Sequence, residues 1–154
     1  MRWHYRDPLL VWLMPAAYGL HLLEEWFGGF PEWPVVFGRN PLPRDAFVLI
    51  NAIALTAMLL AARAAVRRET HGWMAVAIAT ILLTNGLAHI LASLATATYC
   101  PGLFTGVVLY LPLGNLALLR AWEQAGPSFS RGVWTGLALH ALVAAVALLL
   151  TRPG

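Results

Sequence analysis

Lysine is absent from this chain, cysteine occurs once, and charged side chains make up only 11% of its 154 residues. Each shortage excludes something. A single cysteine, Cys100, permits no internal disulfide, so the redox compartment cannot be read from thiols. So few charges leave little with which to coat a water-facing surface, where an ordinary soluble domain uses about 25% charged residues. The ten positive side chains are all arginine, set against seven acids for a formal net charge of +3. They stand singly or in short clusters between apolar runs, which argues against nucleic-acid binding. Arginine without lysine, in an Ala- and Leu-rich chain, points to a GC-rich bacterial source. No sustained internal repeat and no low-complexity tail is found.

Apolar residues are plentiful: 60% of the chain is hydrophobic, with a mean hydropathy of +0.69. Average usage in soluble domains is about 45–50%. Five apolar stretches stand out, at 8–27, 46–66, 73–96, 103–121 and 133–151. Each is near the ~20 residues that a helix needs to cross hydrocarbon. The expectation is an all-α polytopic bundle of about five transmembrane helices, forming one transmembrane domain over 1–154. Arg2 and Arg6 precede the first run as in a signal peptide, yet the run continues without a convincing cleavage site and reads as a retained helix. Residues 28–45 hold Gly28, Gly29, Pro31, Pro34, Gly38, Pro41 and Pro43, which is helix-breaking chemistry. Arg63, Arg67, Arg68 and Glu69 close the second stretch. Tyr99-Cys100-Pro101-Gly102 makes a tight uncharged turn, and Glu123 to Arg131, with Gly126 and Pro127, separates the last two stretches.

Arginine bias sets orientation. Seven arginines (2, 6, 63, 67, 68, 120, 131) fall on the side of the N-terminus and three (39, 44, 152) opposite. This predicts a cytoplasmic N-terminus and an outward C-terminus in a bacterial inner membrane. Trp3, Trp73, Trp122 and Trp134 fall near the inner interface, and Trp26 and Trp33 near the outer one, as in an aromatic belt.

Against this background, His21-Leu22-Leu23-Glu24-Glu25 is the anomaly. A carboxylate at the bilayer centre costs about 2.5–3.5 kcal/mol on insertion scales, so two adjacent ones need a reason. On a helix His21 shares a face with Glu24, three residues on, and with Glu25, four residues on. Placing the other polar residues by depth, at ~1.5 Å per residue, brings several into the same outer layer. Asn51 lies near the outer end of the second helix, Asn85 and His89 past the middle of the third, Tyr99 at the outer turn and Thr105 just after it. Tyr110 and His140 lie deeper. Each also has a plainer use. The His/Glu group can be a buried polar lock. Asn51, Asn85 and His140 can be interhelical hydrogen-bonders, and Tyr99 an interfacial anchor. Pro15 and Pro112 each remove a backbone donor and can kink a helix, opening space toward the interior.

The ordered set of His21-x-x-Glu24-Glu25, Asn85-Gly86-Leu87-Ala88-His89, Tyr99-Cys100-Pro101-Gly102 with Thr105, and His140 resembles the HXXEE-domain family of small bacterial membrane proteins. The resemblance spans most of the chain and implies a polytopic membrane fold with a metal or catalytic centre. It supplies no established reaction.

The residues themselves suit a metal-dependent enzyme. His21 and Glu25 at i,i+4 can ligate one ion, with His89 and His140 as candidate further ligands and Glu24 as general base on a bound water. The spacing is that of an H-x-x-E-H site with glutamate in place of the second histidine. Asn85 or Tyr99 could orient substrate or steady an oxyanion. Two or three His with a carboxylate suit zinc with an open position, and equally a two-His-one-carboxylate iron site. A metal-free acid/base pair of Glu24 and His89 acting on a lipid is a further possibility. Access from the bilayer implies a lipid-like or apolar substrate, with hydrolytic or redox chemistry. The competing class is a proton- or metal-ion-translocating protein. No polar file reaches the inner face and no inverted repeat is seen, though an oligomer could still form a path.

Overall fold

The computed structural model describes residues 7–67, 70–123 and 127–153. Arg2, Trp3, Arg6, Arg68, Glu69 and Gly126 lie outside the described residues.

The first helix, α1 (Pro8–Gly28), starts where the Asp7 side chain accepts the Leu10 N–H and Pro8 supplies a preformed first turn. It ends at Gly29, whose φ of 82° turns the chain left-handed while the Phe30 N–H bonds back to Glu25 O at 2.8 Å. Pro15, inside the helix and buried, leaves the Val11 carbonyl without its usual donor. A loop with one 3₁₀ segment, Trp33–Phe37, leads to α2 (Arg44–Arg67). Next come α3 (Trp73–Thr96) and a turn with Ala97 at φ 51°.

The fourth rod is composite: α4 (Leu103–Thr105), a π segment (Gly106–Tyr110) and α5 (Leu111–Trp122) run on without a break. Pro112 sits two residues after the widened stretch, and the carbonyl four residues back, that of Val108, lies inside it, where the wider turn relieves the clash that a proline ring makes in ordinary α geometry. The last helix, α6 (Pro127–Leu150), completes an all-α bundle. Among the described residues four helices are long and apolar enough to cross a membrane: Arg44–Arg67, Trp73–Thr96, the rod Leu103–Trp122, and Ser128–Leu150. The fifth, α1, has 21 residues and carries the two glutamates in its last turns.

At the centre of the bundle α3 touches α1, α2, α5 and α6. Small residues let it do so. A Cβ on Gly114 would stand 2.9 Å from Ala79 O, and one on Gly136 would stand 2.6 Å from Ala77 O. Gly132 and Gly136, four apart on α6, therefore seat that helix directly on the α3 backbone. The core between α1, α2, α3 and α5 is apolar, built on Val11, Met14, Met58, Val76, Leu82 and Ala117. Ion pairs lie at the ends: Asp7 with Arg120, and Glu32 with Arg44 at 2.7 Å. The loop after α1 is tied to the end of α6. Asn40 N–H donates to Thr151 O at 3.0 Å, Asn40 Nδ2 to Arg152 O at 2.6 Å, and Arg39 Nε to Thr151 Oγ1 at 2.9 Å.

Candidate metal centre

The first imidazole comes from α1. His21 is fully buried, its ring stacked on Tyr110 at 4.3 Å between centroids. One turn later Glu25 brings its Oε1 to 3.5 Å from His21 Nε2. The second imidazole, His89 of α3, is edge-on to His21, with centroids 4.8 Å apart, and its Nε2 is 3.4 Å from the same Glu25 oxygen. All three side chains are buried, and their three donor atoms lie within 4.8 Å of one another, a group able to hold a metal ion.

Backbone chemistry makes this approach possible. Gly86 of α3 and Gly106 of the π segment meet so closely that a Cβ on Gly86 would stand 3.0 Å from Gly106 O. Gly102 closes over both imidazoles. A Cβ there would lie 2.6 Å from His89 Cε1 and 2.7 Å from His21 Cε1, and its φ of 99° is itself a glycine conformation.

The far side of each imidazole is engaged. His21 Nδ1 lies 2.8 Å from Thr105 Oγ1. That hydroxyl donates its one proton to Glu24 Oε2 at 2.5 Å, so it accepts from His21 Nδ1–H. His89 Nδ1 lies 3.2 Å from Cys100 Sγ, whose thiol hydrogen has the Pro101 carbonyl at 3.8 Å. Burial, reinforced by the nearby Glu25 and Glu24 charges, pushes the Cys100 thiol up to about 12, which keeps it protonated at neutral pH. The proton on His21 Nδ1 leaves the His21 Nε2 lone pair turned toward the Glu25 carboxylate, and His89 Nε2 faces the same oxygen. His21 Nε2 has no hydrogen-bond partner among the described residues.

Of the residues singled out from sequence, the structure brings His21, Glu25 and His89 together. Glu24 is adjacent in the chain but points elsewhere. Its Oε1 accepts from Gly102 N–H and Phe104 N–H, each at 3.0 Å, and from the Tyr99 hydroxyl. Its Oε2 accepts from Thr105 N–H at 2.7 Å as well as from the Thr105 hydroxyl. Tyr99 is thus half-exposed and bound to Glu24, away from the three donor atoms. His140 is not within the three-residue group; with Asn85 it lines a cavity onto which Glu25 and His89 also open. Asn51 accepts from Tyr18 OH at 2.5 Å and donates to Phe47 O, tying α1 to α2.

Thr105 enters the sequence reading by its depth and by the family resemblance, and neither gives it the proton relay between His21 and Glu24. The close-packing glycines were also passed over, although the Gly132-x-x-x-Gly136 spacing is a visible signal.

Among known proteins, a family described as "Protein of unknown function with HXXEE motif" matches residues 12–117. No curated protein and no solved structure matches the chain.

Proposed function

The chain belongs to the HXXEE-motif family, whose function is unknown, and from this starting point we propose that it is an integral membrane metalloenzyme acting on an apolar substrate. His21, Glu25 and His89 would hold one divalent transition metal, zinc or iron, near the outer leaflet of a bacterial inner membrane. The observation that carries this reading is the convergence of two buried imidazole Nε2 atoms, that of His21 without a hydrogen-bond partner among the described residues, on one buried carboxylate oxygen. The His21 Nε2 lone pair and the Glu25 carboxylate facing each other repel unless something positive sits between them. The spacing supports a cation larger than a proton. Two ligands about 2.1 Å from an ion at the tetrahedral angle stand about 3.4 Å apart, against the observed 3.5 and 3.4 Å from Glu25 to the two histidines. Charged hydrogen bonds of the same type are about 2.7–2.9 Å long.

A metal at this position would supply Lewis-acid or redox chemistry at open coordination positions. The rest falls to the chain. Glu24, with both oxygens engaged by donors, has no lone pair free to take a substrate proton. We therefore assign it to positioning: it holds the 102–105 turn and, through Thr105, the tautomer of His21. His140 lies in the cavity wall, and we assign it to proton transfer with the substrate rather than to the metal. Asn85, also in that wall, is a candidate donor to a developing negative charge. A transport reading gains nothing from the geometry, because the core beneath the cluster is apolar.

Titration of metal-stripped protein with cobalt(II), followed by visible absorption, tests the assignment. The wild type should give a saturable band at one equivalent, and Glu25→Ala none. Glu24→Gln should bind cobalt about 10–100-fold more weakly and melt at a lower temperature, since its amide group cannot accept all five hydrogen bonds. Unchanged cobalt binding with loss of turnover would return Glu24 to the role of base. An unchanged band in Glu25→Ala would remove the ligand set.

A further inference from the structure

Beside the His/Glu cluster lies a cavity of about 250 Å³. Its floor is α3, at Asn85, Ala88 and Ala92; one wall is α2, at Phe47, Ile50 and Asn51; the other is α6, at His140, Ala144 and Ala147. Both walls lean on α3 and do not pack closely on each other.

The chain directions give this space a polarity. With the N-terminus cytoplasmic, as the arginine bias predicts, helices α3 and α6 run outward and α2 inward, so Asn51, Asn85 and His140 all fall at the inner end. At the outer end are Phe47, Ala92 and Ala147, with Phe30, Trp33 and Leu42 of the loop across them. That loop is pinned to the end of α6 by the Arg39 and Asn40 hydrogen bonds. The side toward the outer surface is thus largely apolar and strapped shut, with the Trp33 indole N–H, unpartnered among the described residues, as a donor there, while the amides of Asn51 and Asn85 and the His140 imidazole lie deeper. An outer-leaflet phospholipid presents the opposite order, head outward and tail inward.

We propose, resting on the metal-site reading above, that this cavity is a side chamber entered from the bilayer between α2 and α6. Its occupant is a compact, neutral, single-chain or monocyclic molecule of roughly ten carbons, with one carbonyl-type acceptor. The size follows by scaling from the roughly 150 Å³ apolar cavity that accommodates benzene. The acceptor reaches the Asn51, Asn85 and His140 end, which brings the neighbouring carbons past Glu25 and His89. Asn85 and Asn51 each have an amide N–H₂ for this purpose, and the Asn51 amide already spends one hydrogen on Phe47 O. Anionic headgroups are disfavoured because, among the described residues, no arginine lines the chamber and the Glu25 carboxylate does.

The test uses metal-loaded protein in phosphatidylcholine nanodiscs and two photoprobes, a ten-carbon methyl ketone with a terminal diazirine and a phosphatidylcholine with a diazirine in its acyl chain. Labelled peptides are mapped by mass spectrometry, and metal content is measured on the same samples. The ketone should label residues 85–92 and 140–147 saturably, and excess unlabelled decan-2-one should compete at least fivefold. Ala144→Trp and Ala88→Leu, which fill the space from opposite sides, should each lose that labelling at least fivefold while keeping their metal. The phosphatidylcholine probe should label lipid-facing residues without saturation. Ketone labelling that is not competed, that survives both fillings in metal-loaded protein, or that the phosphatidylcholine probe reproduces would overturn the proposal. A wild type that labels saturably yet holds no metal would keep the chamber and remove the metalloenzyme reading instead.

Discussion

Thr105 has a single hydroxyl, and its hydrogen is committed to Glu24, so its oxygen must accept from His21. Through that one atom the two glutamates of the motif divide their work: Glu25 faces the imidazoles, while Glu24 fixes which nitrogen of His21 carries the proton. Thr105→Val removes the relay while keeping the shape. It is expected to weaken metal binding about 10–100-fold, and Thr105→Ser to restore most of the loss, as read by competitive chelator titration. Equal affinities in all three proteins would show that the tautomer is not set from this side. The approach of His21 and Glu25 is legible in sequence because i,i+4 spacing fixes a shared face whatever the surroundings. His89 follows from its depth. The office of Glu24 is not legible, because three of its five donors are backbone N–H groups at Gly102, Phe104 and Thr105, about eighty residues away in sequence. Residue types announce side-chain chemistry and say nothing of which backbone groups will come to meet it. His140 is marked in sequence by its depth and by the family resemblance, and neither distinguishes a ligand from a cavity wall.

Among the elements, long apolar runs identify the helices because a chain in hydrocarbon must satisfy its backbone within each segment. They mark the apolar part rather than the ends. Thus α6 begins at Pro127, well ahead of its first unbroken apolar stretch, since a proline at the first helical position and a polar opening turn are compatible with helix. The π segment Gly106–Tyr110 has no periodic signature, although Pro112 beyond it hints at disturbed geometry. It carries Tyr110, whose ring stacks on His21. The α3–α6 contact rests on Gly132 and Gly136. Gly136→Leu forces a side chain against the α3 backbone, with an expected cost of about 1–3 kcal/mol. The variant should melt at a lower temperature and lose ketone labelling of the chamber, while metal binding persists because the cluster belongs to α1 and α3. Loss of metal in a folded Gly136→Leu protein would mean that α6 contributes a ligand after all, which returns His140 to the metal.

For the whole molecule, the logic is that of a membrane bundle in which polar groups are rare and therefore grouped. The half of the core beside the start of α1 is packed with apolar side chains. The other half holds the cluster, its hydrogen-bonded supports and the chamber beside them. A division into an apolar half and a polar half is legible from position along the five apolar runs. The chamber was not, because it is the gap left where α2 and α6 fail to meet over α3, and a gap between helices has no residues of its own to read. The central claim is that the two imidazoles and Glu25 surround a metal ion. The most direct measurement is the metal-to-protein ratio of gently purified wild-type protein, determined by elemental analysis beside His21→Ala, Glu25→Ala and His89→Ala. One transition-metal ion per wild-type chain, lost in all three variants, is the predicted result. A folded wild type free of transition metal, unable to take one up, or a full complement of metal retained in Glu25→Ala, would contradict it.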